Sequence, residues 1–220
     1  MKYDKIPDIQ RLFSRDEINS IPIQECGEIL VDIPITEKIL YREGEGKKWL
    51  IAKLRESTNQ MLILASKHLP PGYKIMVMSA YIPIWMQQEV WDRKMIKTKL
   101  QNPEVTDQTE LEILNRKYAA YPKFGAPHNT GGSVDVIILD EKNNPLDMGS
   151  PFGDVGKPNH TRYQDITHEQ INNRQILYWV MINAGFLNSN PFEWWHYSYG
   201  DRGWAIYKGE SLAIYDGIEE

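Results

Sequence analysis

The chain has 220 residues, of which 41% are hydrophobic and 25% charged, and its net charge is −5. These proportions describe a soluble globular protein, and the absence of a strong Lys/Arg block excludes a nucleic-acid-binding footprint. The one cysteine, Cys26, excludes an internal disulfide. In chain order, the N-terminal stretch has no apolar run that could form a signal-peptide core. Residues 28–33 (EILVDI) predict a strand. Residues 47–69 carry Leu50, Ile51, Leu54, Met61, Leu62 and Ala65 at mostly helical spacing and predict a helix, closed by Pro70, Pro71 and Gly72. Residues 74–81 (KIMVMSAY) predict a buried strand. Pro83 suits the first turn of the next helix, whose basic run from Lys94 to Lys99 reads as a solvated face. A helix is expected around 107–120, capped by Thr106 or Asp107. Residues 121–133 are rich in Gly, Pro and Asn and read as loop, and residues 134–139 (VDVIIL) as a strand.

Residues 140–163 form a long irregular connection, and connections of that length commonly carry function. A helix is expected over 167–184, from Thr167 to Gly185, and a last strand near Trp204–Tyr207. Strands and helices without regular βαβ alternation predict an α+β fold with a central antiparallel sheet flanked by helices. The length and the lack of a long linker predict a single domain over 1–220. No stretch approaches a membrane span. The expected setting is the cytoplasm, with no nucleic-acid or membrane partner, and the oligomeric state is not legible.

The chain has five histidines, at 68, 128, 160, 168 and 196. His168-Glu169 opens like a zinc-binding H-E-x-x-H helix, but the second ligand position is Asn172, so it reads as an acidic helix N-terminus. His68 sits at a helix C-terminus, where it suits the helix dipole. His128 lies in a Gly-rich loop, and seven residues on Asp135 stands inside an apolar strand. A buried carboxylate costs several kcal/mol unless it is paired or metal-bound. Asp135 is therefore either a metal ligand or a hydrogen-bonded residue capping the loop. Glu193 and His196 are three residues apart, so on a straight strand they would face opposite ways. If both serve one site, the chain bends between them, with Glu193 on a turn and His196 opening a strand. Two His and one Asp would suit zinc with an open fourth position, and Glu193 could take a proton from the attacking water. Each residue alone has an ordinary structural reading; the four together favour a metal site.

The stretches GAPHNTGGSVDVIIL, LDMGSPFGD, NRQILYWVMINAGF and PFEWWHYSYGD occur in that order. Together they resemble the zinc D-alanyl-D-alanine dipeptidases of the vancomycin-resistance (VanX) type, within the D-Ala-D-Ala carboxypeptidase and hedgehog-like fold. The resemblance covers roughly residues 120–205. It implies one Zn2+ held by His128, Asp135 and His196, Glu193 as general base and acid, and a small D-amino-acid dipeptide as substrate. It implies further that Asp147 helps to hold the substrate's amino group, that Tyr81 contacts the substrate, and that Trp194 and Trp195 are packing. In the family's Tyr-Arg-Pro segment the Arg stabilises the oxyanion; here that position is Ile82. Losing one such donor typically costs about 100- to 1000-fold in rate. Arg202 or Arg162 could replace it. Otherwise the protein is a related carboxypeptidase or amidase on a cell-wall fragment or specialised metabolite, or a zinc-containing binding protein with little turnover.

Overall fold

The computed structural model describes residues 11–42, 51–121 and 126–218. In chain order the elements are α1 (Arg15–Asn19), β1 (Leu30–Asp32), β2 (Ile39–Tyr41), β3 (Lys53–Arg55), α2 (Glu56–His68), β4 (Lys74–Ser79), α3 (Ile84–Gln101) and α4 (Gln108–Asn115). They continue with β5 (Ser133–Leu139), α5 (His168–Asn183), β6 (His196–Ser198) and α6 (Arg202–Lys208). The larger sheet has the order β2-β4-β5-β6. Its β4/β5 and β5/β6 pairs are antiparallel, as expected, while the edge strand β2 runs parallel to β4. β1 and β3 form a separate antiparallel ribbon. The fold is α+β.

Strand β5 is buried along its whole length. Val134, Val136 and Ile138 alternate with Ser133, Asp135 and Ile137, so strand geometry puts Asp135 on the face opposite the two valines beside it. The main core joins Val136 and Ile138 with Ile75 and Val77 of β4, Leu62 and Ala65 of α2, and Leu177 and Met181 of α5. Each of these side chains other than Ala65 contributes about 1.5–3 kcal/mol by leaving water. α5 begins as the sequence predicts: Thr167 accepts from the Gln170 N–H, and Gln170 returns the bond. Asp107 caps α4 by accepting from the Glu110 N–H at 2.8 Å.

Two expectations change. The strand expected near Trp204–Tyr207 is the helix α6. Asp201 accepts from the Trp204 N–H at 3.0 Å, Gly209 closes the helix in the left-handed region at φ 78°, and Trp204, Ala205 and Tyr207 share its buried side. The helix expected over 47–69 begins only at Glu56, and its positions 47–50 lie outside the described residues. Leu54 instead pairs with Val31 in the ribbon. Arg55, next to it, is buried and donates through Nε to the Thr130 carbonyl at 2.8 Å, an anchor that an extended backbone presents. Strand β2 was not legible, since a short edge strand has too few residues to show a period; helix α1 went unpredicted although Ser14 and Glu17 form a capping box at its start. Among the described residues, no helix is long and apolar enough to cross a membrane.

Candidate active site

The fold brings three of the expected residues together, two of them on the sheet. The β4/β5 register shifts between Val77 and Ser79, which places Ser79 opposite Asp135. On the other side, Asp135 pairs with His196, the first residue of β6. His128 comes from outside the sheet, on a 3-10 turn over Pro127–Thr130. That turn is tied down from several directions. Ile82 N–H donates to the His128 carbonyl at 3.3 Å, the Asn129 side chain donates to the Ile82 carbonyl, and Arg55 holds Thr130. Gly132 follows, and a side chain there would collide with the Tyr199 carbonyl oxygen, so only glycine lets β6 close on β5.

One ligand atom from each of His128, Asp135 and His196 lies within 4.8 Å of the others, close enough to hold a metal ion. The His128 Nδ1–H donates to the Ala80 carbonyl at 2.7 Å. In the neutral ring Nε2 then carries only a lone pair, yet it faces Asp135 Oδ1, also a lone-pair atom, at 3.2 Å. His196 Nδ1 faces the same oxygen at 3.0 Å. Such an arrangement needs a cation among these atoms, either a proton or a metal ion, and two nitrogens with one carboxylate form a donor set that zinc accepts. The residues present therefore fit the metal. With a proton as the cation, burial opposes protonation of His128, but the adjoining Asp135 carboxylate outweighs it and holds the ring above its ordinary pKa. Burial opposes ionisation of Asp135 in turn, and the two imidazoles outweigh it, holding the carboxyl well below its usual range.

Glu193 sits on a turn, as the three-residue spacing requires. Its N–H donates to the Asn190 carbonyl at 3.2 Å, and the His196 N–H returns to the Glu193 carbonyl at 3.3 Å. Asn188 clasps the bend, donating to the carbonyls of Glu193 at 2.9 Å and His196 at 2.6 Å. Glu193 is 8% exposed. Its Oε2 accepts from Asn190 Nδ2 at 3.0 Å, and its Oε1 faces Lys94 Nζ at 3.5 Å. Burial pushes its pKa above the ordinary value, with the Lys94 ammonium pulling the other way.

These four side chains line one cavity of 460 Å³. Tyr81, Ile82 and Arg202 line it as well. Asp147 and Arg162 do not. The Asp147 carboxylate instead accepts from the Gly149 N–H at 2.9 Å and from Gln170 at 2.8 Å, tying the long connection to the start of α5. From that connection Phe152 and Gly153 reach the cavity, and Phe152 packs edge-on against Trp195 at 5.3 Å. Trp194 and Trp195 are 3% and 1% exposed and pack against each other, in keeping with a structural role. His68 and His168 are exposed at helix ends. Two polar residues escaped the sequence reading. Lys94 belongs to the run read as solvated, but its side chain is 14% exposed and turned into the cavity. Asn190 had no signal beyond lying near the Glu193 stretch.

The family model described as D-ala-D-ala dipeptidase (Peptidase_M15) matches residues 35–213. A D-alanyl-D-alanine dipeptidase of Synechocystis sp. is 28% identical over 84% of this chain and 87% of its own length. The D-alanyl-D-alanine dipeptidase of Escherichia coli is 30% identical over 37% of this chain and 42% of its own length. Among solved structures, the VanY D,D-pentapeptidase of a VanB-type vancomycin-resistance cassette, in complex with Zn(II), aligns at 16% identity with a TM-score of 0.43, covering 83% of this chain and 90% of that one.

Proposed function

The chain belongs to the D-Ala-D-Ala dipeptidase family of zinc metallopeptidases, and from that premise we propose that it hydrolyses a small dipeptide, D-alanyl-D-alanine or a related D-amino-acid dipeptide. His128, Asp135 and His196 would hold the zinc, and Glu193 would serve as base and acid. The observation that carries this reading is the convergence of these four side chains on one cavity, with Asp135 Oδ1 facing both ring nitrogens. Zinc held there supplies Lewis-acid polarisation of the scissile carbonyl and a lowered pKa for a water.

The protein's own residues account for the rest. The Ala80 carbonyl fixes the His128 tautomer and ring direction, as outer partners of metal-binding histidines generally do. Asn190 and the Asn188 clasp hold the Glu193 carboxylate at the cavity wall. Glu193 takes the proton of the attacking water as the water oxygen bonds to the carbonyl carbon. It returns that proton to the nitrogen as the C–N bond breaks, leaving a carboxylic acid and an amine. A carboxyl whose burial raises its pKa is suited to both transfers, since an effective base is one whose pKa lies near working pH. Buried Trp194 and Trp195 keep water from the back of the turn, which strengthens the electrostatics in front of it.

The test is turnover. Zinc-loaded protein is incubated with a panel of D,D-, L,D- and L,L-dipeptides, with a chelator control, and free amino acids are quantified. Release from D,D-dipeptides that stops with chelator is expected. Zinc-loaded protein that releases nothing from any member of the panel contradicts the reading.

A further inference from the structure

Lys94 lies midway along α3, on the side that also turns Met86 and Val90 toward the cavity. Its ammonium stands over the Trp195 ring at 5.5 Å, with the Asp154 carbonyl at 3.4 Å and Glu193 Oε1 at 3.5 Å. An ammonium carries three N–H donors and no acceptor, and its charge-assisted bonds normally close to about 2.7–2.9 Å. Among the described residues, Nζ makes no polar contact shorter than those two. A charge drawn this far out of water costs several kcal/mol unless it is well paired. Lys94 is therefore a largely buried cation at the wall of the reaction cavity, lacking a close acceptor of its own.

Two other cations that line the cavity are engaged elsewhere. Arg202 lines the cavity but directs Nη1 to Asn19 at 3.2 Å. Lys97 is about half exposed and pairs with Asp154 at 3.4 Å. Ile82 lines the cavity with an alkyl group that donates nothing.

We propose that Lys94 is a catalytic residue of this site, its ammonium binding the oxygen of the scissile carbonyl as that oxygen gains negative charge. The proposal rests on the reading that an amide is hydrolysed in this cavity. A lysine is a point charge on a flexible four-carbon stem, so it can advance on a substrate oxygen without the fixed fork geometry an arginine needs. It thereby supplies, from a helix, the donor that Ile82 lacks.

The test compares wild type, K94M and K94R, each loaded with zinc and checked for zinc content, on two readouts: steady-state hydrolysis of D-Ala-D-Ala, and the Kd of a phosphinate analogue whose tetrahedral anion mimics the charge that develops. K94M is expected to lose about 100- to 1000-fold in kcat with little change in KM, and to bind the phosphinate more weakly by a similar factor. K94R is expected to recover at least about tenfold of each loss, a recovery that a packing role for the stem would not give. Unchanged kcat and unchanged phosphinate affinity in K94M overturn the proposal, and so does a loss confined to KM. If wild type hydrolyses no dipeptide, the functional reading fails and the phosphinate arm still decides the role of Lys94. Weaker binding by K94M upholds the ammonium's place beside the anionic oxygen, and equal binding, or none by wild type, overturns it. Should K94M lose zinc or fail to fold, K94Q, which keeps polar N–H donors and removes the charge, makes the same comparison.

Discussion

The cavity has two walls made in different ways. The sheet wall carries His128, Asp135 and His196 on backbone that is fixed by ladder pairing, a bulge and a clamped turn. The facing chemistry, Glu193 and Lys94, rests on a bend and on a helix side, held mostly by side-chain contacts. The sheet wall should therefore respond to substitution in an all-or-none way, by losing the metal. The other wall should respond by degrees, with metal kept and rate reduced.

Asp135→Asn gives the largest expected effect. It preserves shape but removes the charge that both imidazoles face. Zinc affinity is expected to fall by more than the about 10- to 100-fold typical of outer-shell partners, with activity falling in parallel, as read by metal analysis and turnover. On the other wall, Asn190→Ala removes a 3.0 Å bond to Glu193 Oε2. A hydrogen bond to a charged group is worth about 1.5–3 kcal/mol, so kcat is expected to fall about 10- to 100-fold with zinc retained. Loss of zinc in N190A would erase the distinction between the walls.

What the sequence made legible follows the same division. A carboxylate between two valines in an apolar strand violates its local pattern, and so does a His-Glu pair among tryptophans; such anomalies can be seen in a single chain. Lys94 violates nothing. It sits in a helix among other lysines, and only the packing of α3 against Trp195 and the 150s connection turns it inward. Asp147 is the converse case, a residue that resemblance made a substrate contact and that the fold turns toward α5. The mistaken strand near Trp204 has a similar cause, because four residues of mixed aromatic and aliphatic type suit either period, and the Asp201 and Gly209 caps decide the matter.

Smaller effects test the periphery of the comparison. Asp147→Asn is expected to leave kcat/KM within about threefold of wild type, with a stability loss of about 0.5–1.5 kcal/mol at most, since the residue ties the connection to Gln170 by hydrogen bonds. A collapse in kcat/KM at unchanged stability would return it to the substrate site. The smallest effect concerns acid stability. His160 is half-buried beside Lys117, Lys157 and Arg174, and burial first, then those cations, lower its pKa from 6.5 to about 4. The folded protein thus binds this proton at lower pH than the unfolded chain does. The stability it contributes is fully present above pH 6.5 and is lost as pH falls toward 4. With chelator present throughout, so that metal release plays no part, wild type is expected to lose more urea resistance between those pH values than His160→Gln. Parallel losses would show that the ring is not the group responsible.

The most direct measurement of the central claim is made on Glu193→Gln loaded with zinc and supplied with D-Ala-D-Ala. The substitution keeps the side chain's shape and removes its charge together with its ability to accept and return a proton. The expected result is wild-type zinc content with D-alanine release slowed by about 10²- to 10⁴-fold. Release at the wild-type rate, at the same zinc content, would contradict the account.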